Sequence, residues 1–590
     1  MLRWSDSTTH HTRCRVCGFE GELAECVVAP HVLATEPDVQ FVRCHQCDSI
    51  SALRDILSFD HIQQGDIEIF LRQYVESTAG LWEMFWPVAC LDGASGKSLL
   101  DVGCGFGFTA DAWKTVVNDR AFGCDPAPYA AAGRRLLGDH ISHALLDDVS
   151  ALDGAQFDVV YSSEVIEHVP DPRAFAQLLK SRLADRGVLA LTTPAADFVV
   201  PSSDPSTTSA ALAAGFHGFL FSRAELERLL VSIGFAHVIV ERHGERLIAW
   251  ASDAPIERVA VESVAAPYAA YLATKVAQLA GASDGGQKSL RAGYAYRLFK
   301  DRYLRGQHAD LAELRQILLA DAVFEHDLTI ETPGAVETAF ANLPLGASAF
   351  GGVARYCFPQ LALLFGFHAE HQERQADLAY TWYELALTST QKLCGPTVLS
   401  GLEAAAFYWQ ALQRLIFLDT ARGSHQQAAT RFARFIEARI QPEPLIGGGA
   451  ASNEACWQTL DAWLAPLTQR RDAGAIQLAA DGLASVAPKH VTGEDALTFS
   501  AACNATAQLL RLYAAILAGN PVAARELLAQ LSVSAPGADK HPMRRDWHAA
   551  LQERLAAIRS HVPSATPPTF ASGTSPYRWS TGGAGGKRFG

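Results

Sequence analysis

Three glycines at alternate positions, Gly103, Gly105 and Gly107, follow a short apolar run that ends in Asp101. Such a loop lets a ligand approach bare backbone, and the helical pattern from Thr109 to Val117 places a helix N-terminus against it. The spacing is GxGxG and not the GxGxxG of dinucleotide sites, because position 108 is Phe. A second acid, Asp125, closes the next apolar segment about 20 residues beyond the loop, where a carboxylate that accepts ribose hydroxyls belongs. The chemistry implied is the holding of a nucleotide-like ligand.

A second constellation stands at the front. Cys14 and Cys17 form one CxxC pair, and Cys44 and Cys47 form another. Each pair chelates a metal from a tight knuckle, and two knuckles complete a tetrahedral zinc site. Four thiolates leave no open coordination position, so the site is expected to be structural. It would stabilise a β ribbon, residues 1–55, that is too small to hold a core by itself. Cys26 and His45 lie nearby and are read as non-ligands.

The elements that must position the glycine loop follow from periodicity. Strands are expected at 98–102, 120–124, 157–161 and 187–193, alternating with helices at 109–117, 128–137 and 172–183. That order specifies an α/β fold, a doubly wound Rossmann-like parallel sheet with its ligand at the carboxyl ends of the strands. Ser222 followed by Glu225 is a capping box that opens a helix over 222–232. Strands at 235–241 and 246–251 would complete the sheet.

Four blocks now stand in order: Asp101-Val-Gly-Cys-Gly-Phe-Gly107, Gly123-Cys-Asp125-Pro, Phe157-Asp-Val-Val-Tyr-Ser-Ser-Glu164-Val-Ile-Glu-His168, and Gly187-Val-Leu-Ala-Leu-Thr-Thr-Pro194. In that order and spacing they resemble class I S-adenosylmethionine (SAM)-dependent methyltransferases. A fifth segment, His217 to Phe235, is similar to the stretch before that family's last two strands. The resemblance covers residues 60 to 252, and the methyltransferase domain is bounded at 56–252. It implies that Asp101 and the Gly103–Gly107 backbone hold the methionyl and ribose parts of SAM, and that Asp125 takes the ribose hydroxyls. One of the adjacent acids Asp147 and Asp148 would meet the adenine amino group, with Asp148 favoured as nearer the next helix. Glu164 either forms a cofactor wall or serves as a base. Catalytic candidates are His168, Glu164 and His217, with Glu167 beside them; His168 serves either as a base or to shape its loop. A zinc ribbon ahead of this methyltransferase type resembles a bacterial group acting on sugars and glycans.

Composition bounds the partners. At 590 residues the chain is too long for one core, and 49% hydrophobic against 19% charged residues describes a well-packed protein. A net charge of −14 disfavours nucleic acid. No apolar leader and no membrane-length apolar run is seen, so the 12 cysteines are read as cytoplasmic thiols or metal ligands. Residues 253–562 read as an all-α, repeat-like domain, with glycine-rich breaks at 284–286 and 447–449 as candidate junctions. The tail 563–590 has too little apolar content to order itself. The expected activity is methyl transfer from SAM to a sugar, glycan or secondary-metabolite hydroxyl. Alternatives are a protein or RNA methyltransferase, or a SAM-sensing scaffold whose helical domain binds a protein partner. Because all the expected cofactor residues precede position 200, residues 1–255 are expected to bind SAM alone.

Overall fold

The structure, a computed structural model, describes residues 2–533 apart from 6, 34, 57–63, 78–79, 204, 308–310, 321–337, 339, 394–397, 441–452 and 490–491. The expected tail at 563–590 and the last part of the expected helical domain, 534–562, lie outside the described residues.

The chain opens with five antiparallel strands, β1 (Arg3–Trp4), β2 (Thr9–Arg13), β3 (Glu20–Ala29), β4 (Val39–Arg43) and β5 (Ile50–Ala52). This ribbon does not stand apart. Its edge strand β5 pairs with a two-residue strand, Phe219–Leu220, from far along the chain. Val27, Phe41 and Ile50 share one apolar cluster with Val199, Leu212 and Leu220. The Arg43 guanidinium ties the seam by donating to the carbonyls of Ala196 (3.1 Å) and Val199 (2.8 Å).

The central sheet holds β6 (Leu99–Val102), β7 (Ala121–Asp125), β8 (Ile141–His143), β9 (Phe157–Ser163) and β10 (Leu183–Pro194). After the edge strand at Phe219–Leu220 (β11) come β12 (His237–His243) and β13 (Arg246–Ser252). Its order is β12-β13-β10-β9-β6-β7-β8, parallel except for β13, which runs antiparallel to both neighbours. Val159, Val160, Tyr161, Leu189 and Ala190 are fully buried, which is why β9 and β10 read as unbroken apolar runs. The chain leaves β6 in one direction for β7 and β8 and returns to the other side at β9, so the switch point lies at the carboxyl ends of β6 and β9. Strand β8 is a three-residue element that its short sequence did not announce.

Helices α1 (Gln64–Glu76), α2 (Leu81–Ala89), α3 (Phe108–Val116), α4 (Pro128–Leu137), α5 (Pro172–Ser181), α6 (Pro205–Leu212) and α7 (Arg223–Ser232) cover the sheet. The Ser222 hydroxyl accepts from the Glu225 amide at 3.2 Å, as the capping box requires. Beyond the sheet come α8 (Val261–Gln278), α9 (Gly285–Leu304) and a run of antiparallel helices continuing to Val533. The expected break at 284–286 falls at the end of the connection between α8 and α9, and the one at 447–449 lies outside the described residues; the glycines at 285 and 286 are on the helical side of the first. They open α9, because Asp284 caps it by accepting from the Gln287 amide at 3.2 Å. Phe358–His371 and Ala376–Leu393 are consecutive helices of this half, as are Asn453–Gln469 and Ala473–Ala484. Trp382, Tyr383 and Tyr408 of this half are core residues.

Position 252 ends β13, yet packing runs across it. One apolar cluster joins Val75 of α1, Phe85 of α2, Trp113 of α3 and Trp250 of β13 to Tyr271, Leu290 and Phe358 of the helical half. At its centre Asp111 of α3 is buried and accepts from the Lys275 ammonium (2.6 Å) and the Tyr271 hydroxyl (2.9 Å), both from α8. Removing one member of a buried pair strands the other charge. Lys275→Met is therefore expected to destabilise the protein by about 3 kcal/mol or more in reversible chemical denaturation. A loss below about 1 kcal/mol would show that the pair adds little to the junction.

Candidate functional site

The glycine loop is built by backbone hydrogen bonds that few other residues would allow. The Gly103 amide donates to the Cys124 carbonyl at 2.8 Å, which folds the loop back over β7. Gly103 and Gly105 have φ of 75° and 56°. A Cβ on Gly103 would fall 2.4 Å from Val165 Cγ2, so this glycine is required by the approach of the loop after β9. A Cβ on Gly105 would meet nothing within 4 Å and would stand in the cleft that a ligand needs. Gly107 is the N-cap of α3.

The Asp125 carboxylate organises the loop from below. It accepts from the Gly105 amide at 2.9 Å and, through its other oxygen, from the Ala127 amide at 2.7 Å. Each carboxylate oxygen has a second acceptor position, so Asp125 can hold the loop and still take ligand hydroxyls. Asp101 is buried at the end of β6; burial, with the charge of Asp125, pushes its carboxyl up to about 8. A cationic ligand would reverse that cost by favouring the charged form.

Across the switch point, β9 ends in a bank of acids and imidazoles. Glu164 adopts a positive φ of 55°, a strained conformation for a side chain. It is held there by its amide donating to the Thr192 carbonyl (3.0 Å) and by the Thr192 hydroxyl donating to its carboxylate (2.9 Å). Glu167 is fully buried, with one oxygen accepting from the Thr193 hydroxyl at 2.9 Å and the other, Oε1, without a hydrogen-bond partner. His217 Nε2 lies 3.9 Å from that oxygen, and the rings of His168 and His217 meet edge to face at 4.8 Å. His168 Nδ1 donates to the Phe216 carbonyl at 2.8 Å and His217 Nδ1 to the Ala211 carbonyl at 2.7 Å. Those bonds leave Nε2 as the basic nitrogen of each neutral ring. Burial holds His168 down to about 3 and His217 down to about 4, and it pushes Glu167 well above the carboxylate range.

Asp147 and Asp148 lie on an exposed turn after β8, where Asp147 pairs with Arg182 at 2.9 Å. Asp148 makes no such pair. Two further residues without a local signal stand here: Tyr74 of α1 meets Phe106 of the glycine loop edge on at 5.9 Å, and Nε of Arg246 of β13 lies 4.0 Å from Glu164. Only the sheet order brings β13 beside that edge, and only the packing of α1 brings Tyr74 there.

At the ribbon, the sulfurs of Cys14 and Cys47 are 3.8 Å apart and those of Cys17 and Cys44 are 3.7 Å apart. All four lie within 4.8 Å of one another. A tetrahedron of thiolates at about 2.3 Å from a zinc ion has edges of this size. Cys26 donates to the Phe41 carbonyl and His45 packs against Phe19, so neither joins the set.

Residues 83–240 match the family described as methyltransferase domain. Over residues 83–240 the fold is that of a methyltransferase domain. This methyltransferase domain is 34% identical over 111 residues to a ubiquinone biosynthesis O-methyltransferase of Haemophilus ducreyi, covering 17% of this chain and 47% of that protein. A Vibrio campbellii protein of the same name is 35% identical over 98 residues, covering 15% and 42%. The chain thus spans under half the length of these relatives, and the acceptor in their name is theirs. Similar solved structures include an S-adenosylmethionine-dependent methyltransferase from Mesorhizobium loti (18% identity, 28% of this chain and 95% of that one, TM-score 0.23). Another is an O-methyltransferase family protein from Burkholderia thailandensis (16% identity, 33% and 61%, TM-score 0.27).

The two imidazoles set a pH dependence for the methyltransferase domain. Their folded values lie below the ordinary 6.5, so the unfolded chain binds more protons between about 6.5 and 4. Stability contributed by these rings is complete above 6.5 and is lost as pH falls toward 4. Urea titrations of His217→Gln should show a shallower loss across that window than the parent, by up to about 1.4 kcal/mol per pH unit. Parallel pH profiles would show that the ring is not buried in solution.

Proposed function

We propose that this chain transfers a methyl group from SAM to a hydroxyl on a sugar, glycan or secondary-metabolite acceptor. The observation that carries the reading is the bank of Glu164, Glu167, His168 and His217 beside an intact glycine loop. Methyl transfer from a sulfonium needs alignment above all, and holding an acceptor in line supplies about 7–11 kcal/mol. A hydroxyl must also lose its proton as it attacks. As the new carbon–oxygen bond forms and the sulfur–methyl bond breaks, that proton passes to Nε2 of His217 or His168. Both rings stay unprotonated near neutral pH because burial opposes their charge. Glu164 forms the wall between the cofactor and this pair. Asp101 meets the cationic methionyl end, Asp125 the ribose hydroxyls and Asp148 the adenine, with Gly103, Gly105 and Gly107 giving the close backbone approach.

The four-cysteine cluster is assigned a structural zinc ion that fixes the ribbon against residues 195–222. The cytoplasm suits its free thiols, and no helix among the described residues is long and apolar enough to cross a membrane.

Gly105→Trp and Asp125→Ala should each abolish SAM binding in calorimetry, while the parent binds more tightly as pH rises from 6 to 8 and Asp101 ionises. Asp101→Asn should lose that slope. Unchanged affinity in both loop variants would remove the cofactor assignment. Comparing a deletion strain with its parent after feeding labelled methionine should reveal a missing methyl ether in a sugar, glycan or metabolite fraction. A label lost only from protein or RNA would overturn the acceptor class and leave the cofactor site standing.

Metal analysis of freshly purified, reduced protein should give about one zinc per chain. Cys14→Ser with Cys47→Ser should lose the metal and loosen residues 1–55 to proteolysis. Protein that carries no metal and keeps a protease-resistant ribbon would sink the zinc assignment.

A further inference from the structure

The helical half reaches the cofactor loop through α1. Tyr74, in the last turn of α1, is 41% exposed beside the buried Val75 and Glu76. Its ring stands edge on to Phe106 in the glycine loop, beside Gly105, whose amide the Asp125 carboxylate holds. An aromatic ring left exposed beside that loop is a surface that a ligand would cover.

What holds Tyr74 there comes from beyond position 252. Arg297 of α9 is buried, and its guanidinium donates to the carbonyl of Tyr74 at 2.8 Å and to those of Val75 and Ser77. These are carbonyls at the C-terminal end of α1, which lack partners within the helix and favour a cation. Next to them Glu76 is fully buried. It pairs with Arg72 (3.0 Å), accepts from the Arg355 guanidinium and receives the Tyr356 amide at 3.1 Å. The two backbones touch at this point: a Cβ on Gly293 of α9 would fall 2.0 Å from the Val75 carbonyl oxygen. Two buried arginines and a glycine of the helical half therefore fix the end of α1.

We propose that Tyr74 is a cofactor-contacting residue and that Arg297 is a positioning residue that keeps it over the glycine loop. The helical half thereby becomes part of the SAM site without touching SAM. This rests on the cofactor assignment above. It reverses the expectation that residues 1–255 bind SAM unaided, because that fragment lacks the clamp.

Full-length protein is titrated with S-adenosylhomocysteine, the stable product of SAM, by calorimetry. Tyr74→Ala should weaken binding by about tenfold and Tyr74→Phe by less than about threefold, since the ring supplies most of the cover. Arg297→Met should weaken binding to a similar degree. In the double variant the losses should not add, because both act on one contact. Additive losses would overturn the clamp, and parental affinity in Tyr74→Ala would overturn the contact. If Arg297→Met does not fold, hydrogen exchange on the parent protein decides. Added ligand should slow exchange in residues 64–77 as well as in 101–107, and protection confined to 101–107 would overturn the proposal. Parent protein that fails to bind the ligand at all would instead overturn the cofactor assignment.

Discussion

A single carboxylate buried one turn into α3 constrains much of this molecule. Asp111 sits on the helix that begins at the glycine loop, and its charge cannot stay in an apolar interior without donors. Lys275 and Tyr271 supply them from α8. The pair fixes the helical half to the sheet at the helix that begins at the glycine loop. The apolar cluster around it, from Val75 through Trp113 to Phe358, is one core and not two. A chain that looks like a methyltransferase followed by a helical appendage is, in its packing, one body across position 252.

The ribbon follows the same logic at the opposite side of the sheet. Strand β5 pairs with β11, and Arg43 is used to satisfy carbonyls in the segment after β10. That segment carries His217, so the four-cysteine cluster braces the stretch of chain on which the imidazole bank depends. Ser222 shows the same economy. Its hydroxyl caps α7 and donates to the Cys47 carbonyl at 2.5 Å, linking a helix start to a cysteine knuckle.

The electrostatics of the cleft divide by face. Asp101 and Asp125 lie under the loop where burial raises both carboxyls, a state that a cationic ligand would relieve. The histidines beyond Glu164 are driven the other way, held as neutral rings by burial. Carboxyls that gain from a cation suit a loop that takes a cationic ligand.

Much of this was legible in the residues themselves. Apolar runs of strand length, the glycines at 103, 105 and 107, the Ser222 capping box and the CxxC spacing are local signals set by backbone sterics, burial and ligand geometry. They specify the alternating strands and helices, the glycine loop, the place of the acid at 125 and the cysteine cluster, with α4 at its expected bounds. Asp284, which caps the helix that Gly285 opens, is a local signal of the same kind, masked by the glycine pair. Local signals could not reveal Tyr74, Arg246, Arg297 or Lys275. Each acts across a separation of many residues, and its role depends on which helix or strand the sheet order sets beside it. Long-range partnership leaves no periodic trace in sequence, because it is decided only when buried charges and orphaned carbonyls must find each other in the folded chain.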